Sequence, residues 1–261
     1  MSGQNKTRAA RTSRVGDAAR VHVSASAVQA NGDHQQGDRL DSQVNACTRS
    51  LRVMLHASLV SGAPIDRVLA AFFKRNRHYG SRDKRLIRDV VFAAFRWLGW
   101  LRPLVSKAFD QALENSAGAY QPDRDDEDPE LRLNEPSCCI ILLGAVLLDE
   151  TLYTSEGTHL LDTFARRVNI SAAALTPCRR GSWQDRMAAF ARLSGHPDAA
   201  AADLLTLMPE WALRHFALDA VQAERLVRWL QCRPPMWLRA QSASVKNLAR
   251  QFRKAGYEVA P

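Results

Sequence analysis

The chain has 261 residues, of which 46% are hydrophobic and 24% charged. This is the composition of a folded protein with room for one large domain or two small ones. No run of about 18 uninterrupted apolar residues occurs, and the N-terminus has no apolar core, so neither a transmembrane helix nor a secretory signal is expected. The net charge of +9 points to a polyanionic partner, most often nucleic acid and sometimes an anionic membrane surface, although a solubilising surface charge gives the same number.

Residues 1–41 are polar and rich in Gly, Ser, Gln and Asn, without periodicity, and predict a disordered leader. From about 42 the pattern turns helical. Leu51, Met54, Leu55, Ser58 and Leu59 fall on one helical face. Gly62-Ala63-Pro64 separates this helix from a second, which carries Ile65, Val68, Leu69, Phe72 and Phe73. After Tyr79-Gly80, Ser81 is placed to cap a long helix over about 82–101. Its stripe is Leu86, Ile87, Val90, Val91, Ala94, Trp97, Leu98 and Leu101. Pro103 is expected to open another helix, with Leu104, Val105, Phe109 and Leu113 facing inward.

Residues 115–135 read as a loop containing the acidic stretch Asp123 to Glu130. Cys138 to Leu148 is apolar all round, as a helix in the middle of a bundle would be. Helices follow over about 158–168 and 183–194, the second with a capping box from Ser182 and Asp185. An Ala/Leu helix is expected after Gly195-His196-Pro197, and another from about 220 behind Asp219. Cys232 to Pro235 is a rigid connector, and Met236 to Ala240 reads as a short strand. Ser244 can cap a helix through Ala255 that Gly256 ends, and Tyr257-Glu258-Val259 would begin a second strand. The five cysteines, Cys47, Cys138, Cys139, Cys178 and Cys232, have neither CxxC pairing nor zinc spacing. Buried, reduced thiols in a cytoplasmic protein fit this pattern. The histidines are dispersed, and no metal site is expected.

Three phrases carry a resemblance to a known family. The first runs from Phe72-Phe73-Lys74-Arg75-Asn76-Arg77 through Asp83-Lys84-Arg85-Leu86-Ile87 to Phe92-Ala93-Ala94-Phe95-Arg96-Trp97. The second is Met208-Pro209-Glu210-Trp211. The third is Arg233-Pro234-Pro235-Met236-Trp237-Leu238-Arg239, followed by Leu248 and Ala255-Gly256-Tyr257-Glu258-Val259. In order and spacing these resemble the Sun/Fmu family of rRNA cytosine-5 methyltransferases over about residues 42–261. Two departures mark a divergent member: Gln241 stands where the family has asparagine, and the acidic insert is long.

The resemblance implies a mainly α fold. A NusB-like helical RNA-binding domain is expected over 42–200, a helical linker over 201–235, and the incomplete start of a small α/β, ferredoxin-like subdomain over 236–261. It also implies RNA, specifically rRNA, as the partner. In the family a cysteine thiolate attacks cytosine C6, and C5 then takes a methyl group from S-adenosylmethionine. That chemistry needs a Gly-rich cofactor turn, an acidic residue for the ribose and a Pro-Cys loop. Gly144, Gly181 and Gly195 are isolated. Pro177-Cys178 has the dipeptide but no preceding strand or acid, and Arg179-Arg180-Gly181 follows it. No catalytic or cofactor-binding residue is therefore expected in this chain. The S-adenosylmethionine domain is then lost, cut away, or encoded separately as a catalytic partner. A free-standing NusB-like adaptor of the antitermination type and an inactive fragment are the alternatives.

The candidate RNA-binding residues are basic. Between 74 and 107 lie Lys74, Arg75, Arg77, Arg82, Lys84, Arg85, Arg88, Arg96, Arg102 and Lys107, against only Asp83 and Asp89. Arg75, Arg77, Arg82, Lys84 and Arg85 bracket the turn between two helices, where they can reach phosphates, and arginine can also stack on exposed bases. His78 and Tyr79 lie within the turn and can stack too. Asp83 and Asp89 are expected to partner nearby arginines, and Arg96 a carboxylate inside the bundle. A solvated charged face is the bland alternative. The resemblance adds a second set near the C-terminus, Arg239, Arg250, Arg253 and Lys254, the last three on one helical face. Trp97 belongs to the apolar stripe, and Trp211 is expected to wedge the bundle against the segment that follows.

Overall fold

The computed structural model describes residues 25–105, 107–115, 135–201, 203–215, 218–232, 245–256 and 259. It divides into two units, one ending at Arg39 and the other spanning Leu40–Pro261. Among the described residues there are eleven α-helices, with short 3-10 and π turns between several of them, and no strand. The mainly α expectation holds. The strand expected over 236–240 and the acidic stretch 123–130 lie outside the described residues.

Helix α1 spans Ala25–Leu55, so its onset lies well upstream of the expected leader boundary. From residue 37 onward its first buried residues are Gln43 and Val44, where the apolar pattern starts. Once a packed segment has nucleated a helix, propagation into a polar neighbour adds one hydrogen bond per residue and needs no further apolar contact. A π turn over His56–Val60 follows. A π turn carries more residues than an α turn and so rotates what comes after it off the preceding stripe. His56 is thereby fully buried, while Leu59, expected inside, is 43% exposed.

The next helices are α2 (Ile65–Arg75) and α3 (Ser81–Arg96). They bury Val68, Leu69 and Phe72, and Leu86, Ile87, Val90, Val91, Ala93 and Ala94, close to the expected stripes. Gly80, not Ser81, occupies the N-cap of α3 and makes no side-chain cap bond; Ser81 is the first helical residue. The expected 82–101 helix is interrupted at Trp97, and a single turn, α4 (Leu98–Leu101), continues the chain. Pro103 lies in a 3-10 turn, and α5 is Lys107–Asn115.

Helix α6 (Glu135–Leu148) is the hub. All its residues from Ser137 to Leu148 except Ile140 are buried. It packs against α3, α4, α7 (Ser155–Arg167) and α8 (Trp183–Leu193). The apolar-all-round sequence demanded neighbours on every side. Gly144 makes this possible: a Cβ there would meet Leu101 Cδ2 at 2.3 Å and Phe190 Cε1 at 2.8 Å. Ser182 and Asp185 form the expected capping box at α8.

Two 3-10 turns, Pro197–Ala201 and Leu204–Leu207, stand in place of the expected Ala/Leu helix. The Asp203 side chain accepts from Leu205 N–H, and the Trp100 indole N–H donates to the Asp203 carbonyl at 2.7 Å. Both bonds pin a bend where a continuous helix would need its own i→i−4 ladder. Then come α9 (Glu210–His215) and α10 (Ala220–Gln231), the latter capped by Asp219 with Gln222. Finally α11 (Val245–Lys254) is followed by Gly256 at φ +87°, the left-handed stop that the sequence predicts.

Candidate nucleic-acid interface

The turn between α2 and α3 is built on an aromatic footing. Phe72, on the last turns of α2, is 1% exposed. The Tyr79 ring stacks on it, with centroids 6.2 Å apart and planes 18° from parallel. His78 in turn sits 4.1 Å from Tyr79, centroid to centroid, and is exposed. Backbone and side-chain bonds fix the reversal: Asn76 Nδ2 donates to the Phe72 carbonyl at 2.9 Å, and Arg77 Nε donates to the Lys74 carbonyl at 3.3 Å. Asp83 accepts from Gln43 Nε2 at 2.9 Å, which ties the first turn of α3 to α1; the expected arginine partner is replaced by an amide.

Around this footing stand the candidate cations. Arg75, Arg77, Arg82 and Arg85 are exposed, and Lys84 is half-buried. Asp89 takes part in this neighbourhood as expected, 3.9 Å from Arg85 and 3.6 Å from Arg88. Arginines with 72% and 52% of the side chain in water, at these distances, are only loosely held by one carboxylate. The guanidinium groups of Arg85 and Arg88 therefore stay largely solvated.

Arg96 belongs to the core instead. It forms an ion pair with Asp149, whose side chain is 3% exposed and also accepts from the Thr151 backbone N–H at 3.0 Å and hydroxyl at 2.6 Å. The carboxylate expected for Arg96 is thus found at the end of α6.

In the second basic set, Arg250, Arg253 and Lys254 are exposed on α11, and Arg253 donates to the Val259 carbonyl at 3.0 Å. Arg239 lies outside the described residues. Trp97 is buried against Trp100 and Trp183, as its place on the stripe predicts. Trp211, expected to be a wedge, is 60% exposed with its ring edge-on to His215.

One buried cation escaped the sequence reading. Arg186 of α8 is 8% exposed and donates to the Tyr153 hydroxyl at 2.9 Å, to Glu150 at 2.8 Å and to the Gly181 carbonyl at 3.1 Å. Its position between Asp185 and Met187, beside a capping box, was the available signal.

The buried thiols are held in the protonated form. Burial pushes Cys47 and Cys138 up to about 12, and burial also raises Cys178, which sits in a 3-10 turn with 1% exposure. A nucleophilic cysteine needs the opposite shift. No group of three or more potential metal ligands occurs among the described residues, and no helix there is long and apolar enough to cross a membrane.

The class defined by this geometry is a helical protein that presents a preassembled basic turn. No family model, curated protein or solved structure matches the chain.

Proposed function

We propose that this chain is an RNA-recognition module, the rRNA-binding region of a protein of the Sun/Fmu cytosine-5 methyltransferase type, with the α2–α3 turn as its principal contact. The observation that carries the reading is the exposure of Arg75, Arg77, Arg82 and Arg85 around one rigid turn. Four planar, permanently charged forks on a fixed scaffold suit bidentate phosphate contact. The phrases shared with the family supply the link to rRNA, and α11 with Arg250, Arg253 and Lys254 is a second contact surface. No catalytic or cofactor role is assigned to this chain. Methyl transfer from S-adenosylmethionine would belong to a separate domain acting beside it.

The test is binding of a labelled rRNA fragment at two salt concentrations, alone and with Arg82→Ala/Lys84→Ala/Arg85→Ala. Tight binding that weakens with salt is expected, and the triple variant should lower the log–log salt slope by about one per phosphate contact removed. An unchanged slope and affinity in the variant would mean that the turn is only a solvated surface.

A further inference from the structure

The α2–α3 turn holds more than charge. From the core outward run Phe72, Tyr79 and His78: the Tyr79 ring stacks on Phe72, and the exposed His78 ring leans against Tyr79 with centroids 4.1 Å apart and planes tilted by 49°. Exposed Arg75, Arg77 and Arg82 flank that ring in sequence, and the half-buried Tyr79 beneath it is held by the buried Phe72. An imidazole that already rests against another ring has less rotamer freedom to lose when a second ring lands on its outer face. Cations to either side would hold the backbone phosphates of whatever nucleotide brings that ring.

We infer that His78 is a base-stacking platform and that the turn grips an unpaired nucleotide: one base on the imidazole, its phosphates on the neighbouring guanidinium groups. This rests on the RNA-binding reading and narrows it to single-stranded or looped RNA. In A-form duplex the bases are stacked on each other and offer no free face, so a platform gains nothing from paired RNA. Stacking is also tolerant of base identity, because every base has a π face. The preference is therefore for unpaired structure and not for a particular sequence.

The experiment uses the full chain and two probes, a short single-stranded RNA carrying 2-aminopurine and the same strand annealed to its complement. The wild-type protein should bind the single strand more tightly and quench its fluorescence. His78→Ala should lose affinity for the single strand on the order of ten-fold. It should also lose the quenching, yet keep the salt slope and the duplex affinity. His78→Phe, which keeps a ring but no N–H, should restore both affinity and quenching. If His78→Phe behaves like His78→Ala, the contact runs through a ring nitrogen and the stacking platform is wrong. If wild type and His78→Ala bind both probes alike with a steep salt slope, the platform is also wrong while the RNA-binding reading stands. An absence of salt-sensitive binding to either probe would remove both.

Discussion

Asp149 is almost wholly buried, and Arg96 neutralises it from a side chain that is itself 25% exposed. Removing the arginine takes the cation from a buried carboxylate that, among the described residues, keeps its hydrogen bonds from Thr151. Arg96→Ala should therefore cost about 3 kcal/mol, read from the urea midpoint, whereas a paired Arg96→Met/Asp149→Leu exchange should recover most of the loss. The thiols give a pH signature. Cys47 and Cys138 stay protonated up to about 12 in the folded chain, against an ordinary value of 9.0. Above pH 9 the unfolded chain loses these protons and the folded chain does not. The contribution of these two thiols to stability should be level below that point and fall as pH rises through 9 to 12, and Cys47→Ala/Cys138→Ala should flatten the descent. The same burial makes reagent access selective. A thiol titration of the native protein should count Cys232 promptly, and Cys47, Cys138, Cys139 and Cys178 only after denaturant is added.

Among the elements, α6 is the least tolerant of added volume. Leu101 and Phe190, which a side chain at Gly144 would strike, are at most 1% exposed and have nowhere to move. Gly144→Ala should cost about 1–3 kcal/mol despite the better helix propensity of alanine, and a thermal melt will show it. Helices of this kind were the legible ones. The stripes of α2 and α3 and the wrap-round apolarity of α6 read directly, because burial on a helix repeats every three to four residues and leaves its period in the sequence. Asp219 and the Ser182–Asp185 pair announced their helices by the chemistry of the cap. What did not read was set by tertiary partners. The stripe breaks at Trp97, two residues before Gly99, although the apolar pattern itself runs on without a gap; the π turn after Leu55 leaves no compositional mark, and the bend at Asp203 depends on an indole from α4. In the candidate site the cations were legible as a charge run. The ladder Phe72–Tyr79–His78 was not, since it joins residues of α2 to the turn across a reversal of the chain.

Across the whole molecule, burial is unevenly shared. α6 is buried along nearly its full length, while α11 has no buried residue. Native-state hydrogen exchange should find the amides of α6 near the global limit and those of α11 exchanging faster by orders of magnitude, because local opening of α11 exposes almost no apolar surface. Protection of α11 comparable to that of α6 would contradict this. The central place of α6 also matters while the protein is being made. A ribosome delivers α6 after α3 and α4 but before α7 and α8, so for a time this helix has lining on one flank only. Glu135 is the sole charged side chain in its 14 residues. A nascent chain paused at that stage displays the stickiest segment of the protein to its surroundings, and it becomes safe only when the two later helices emerge and close over it.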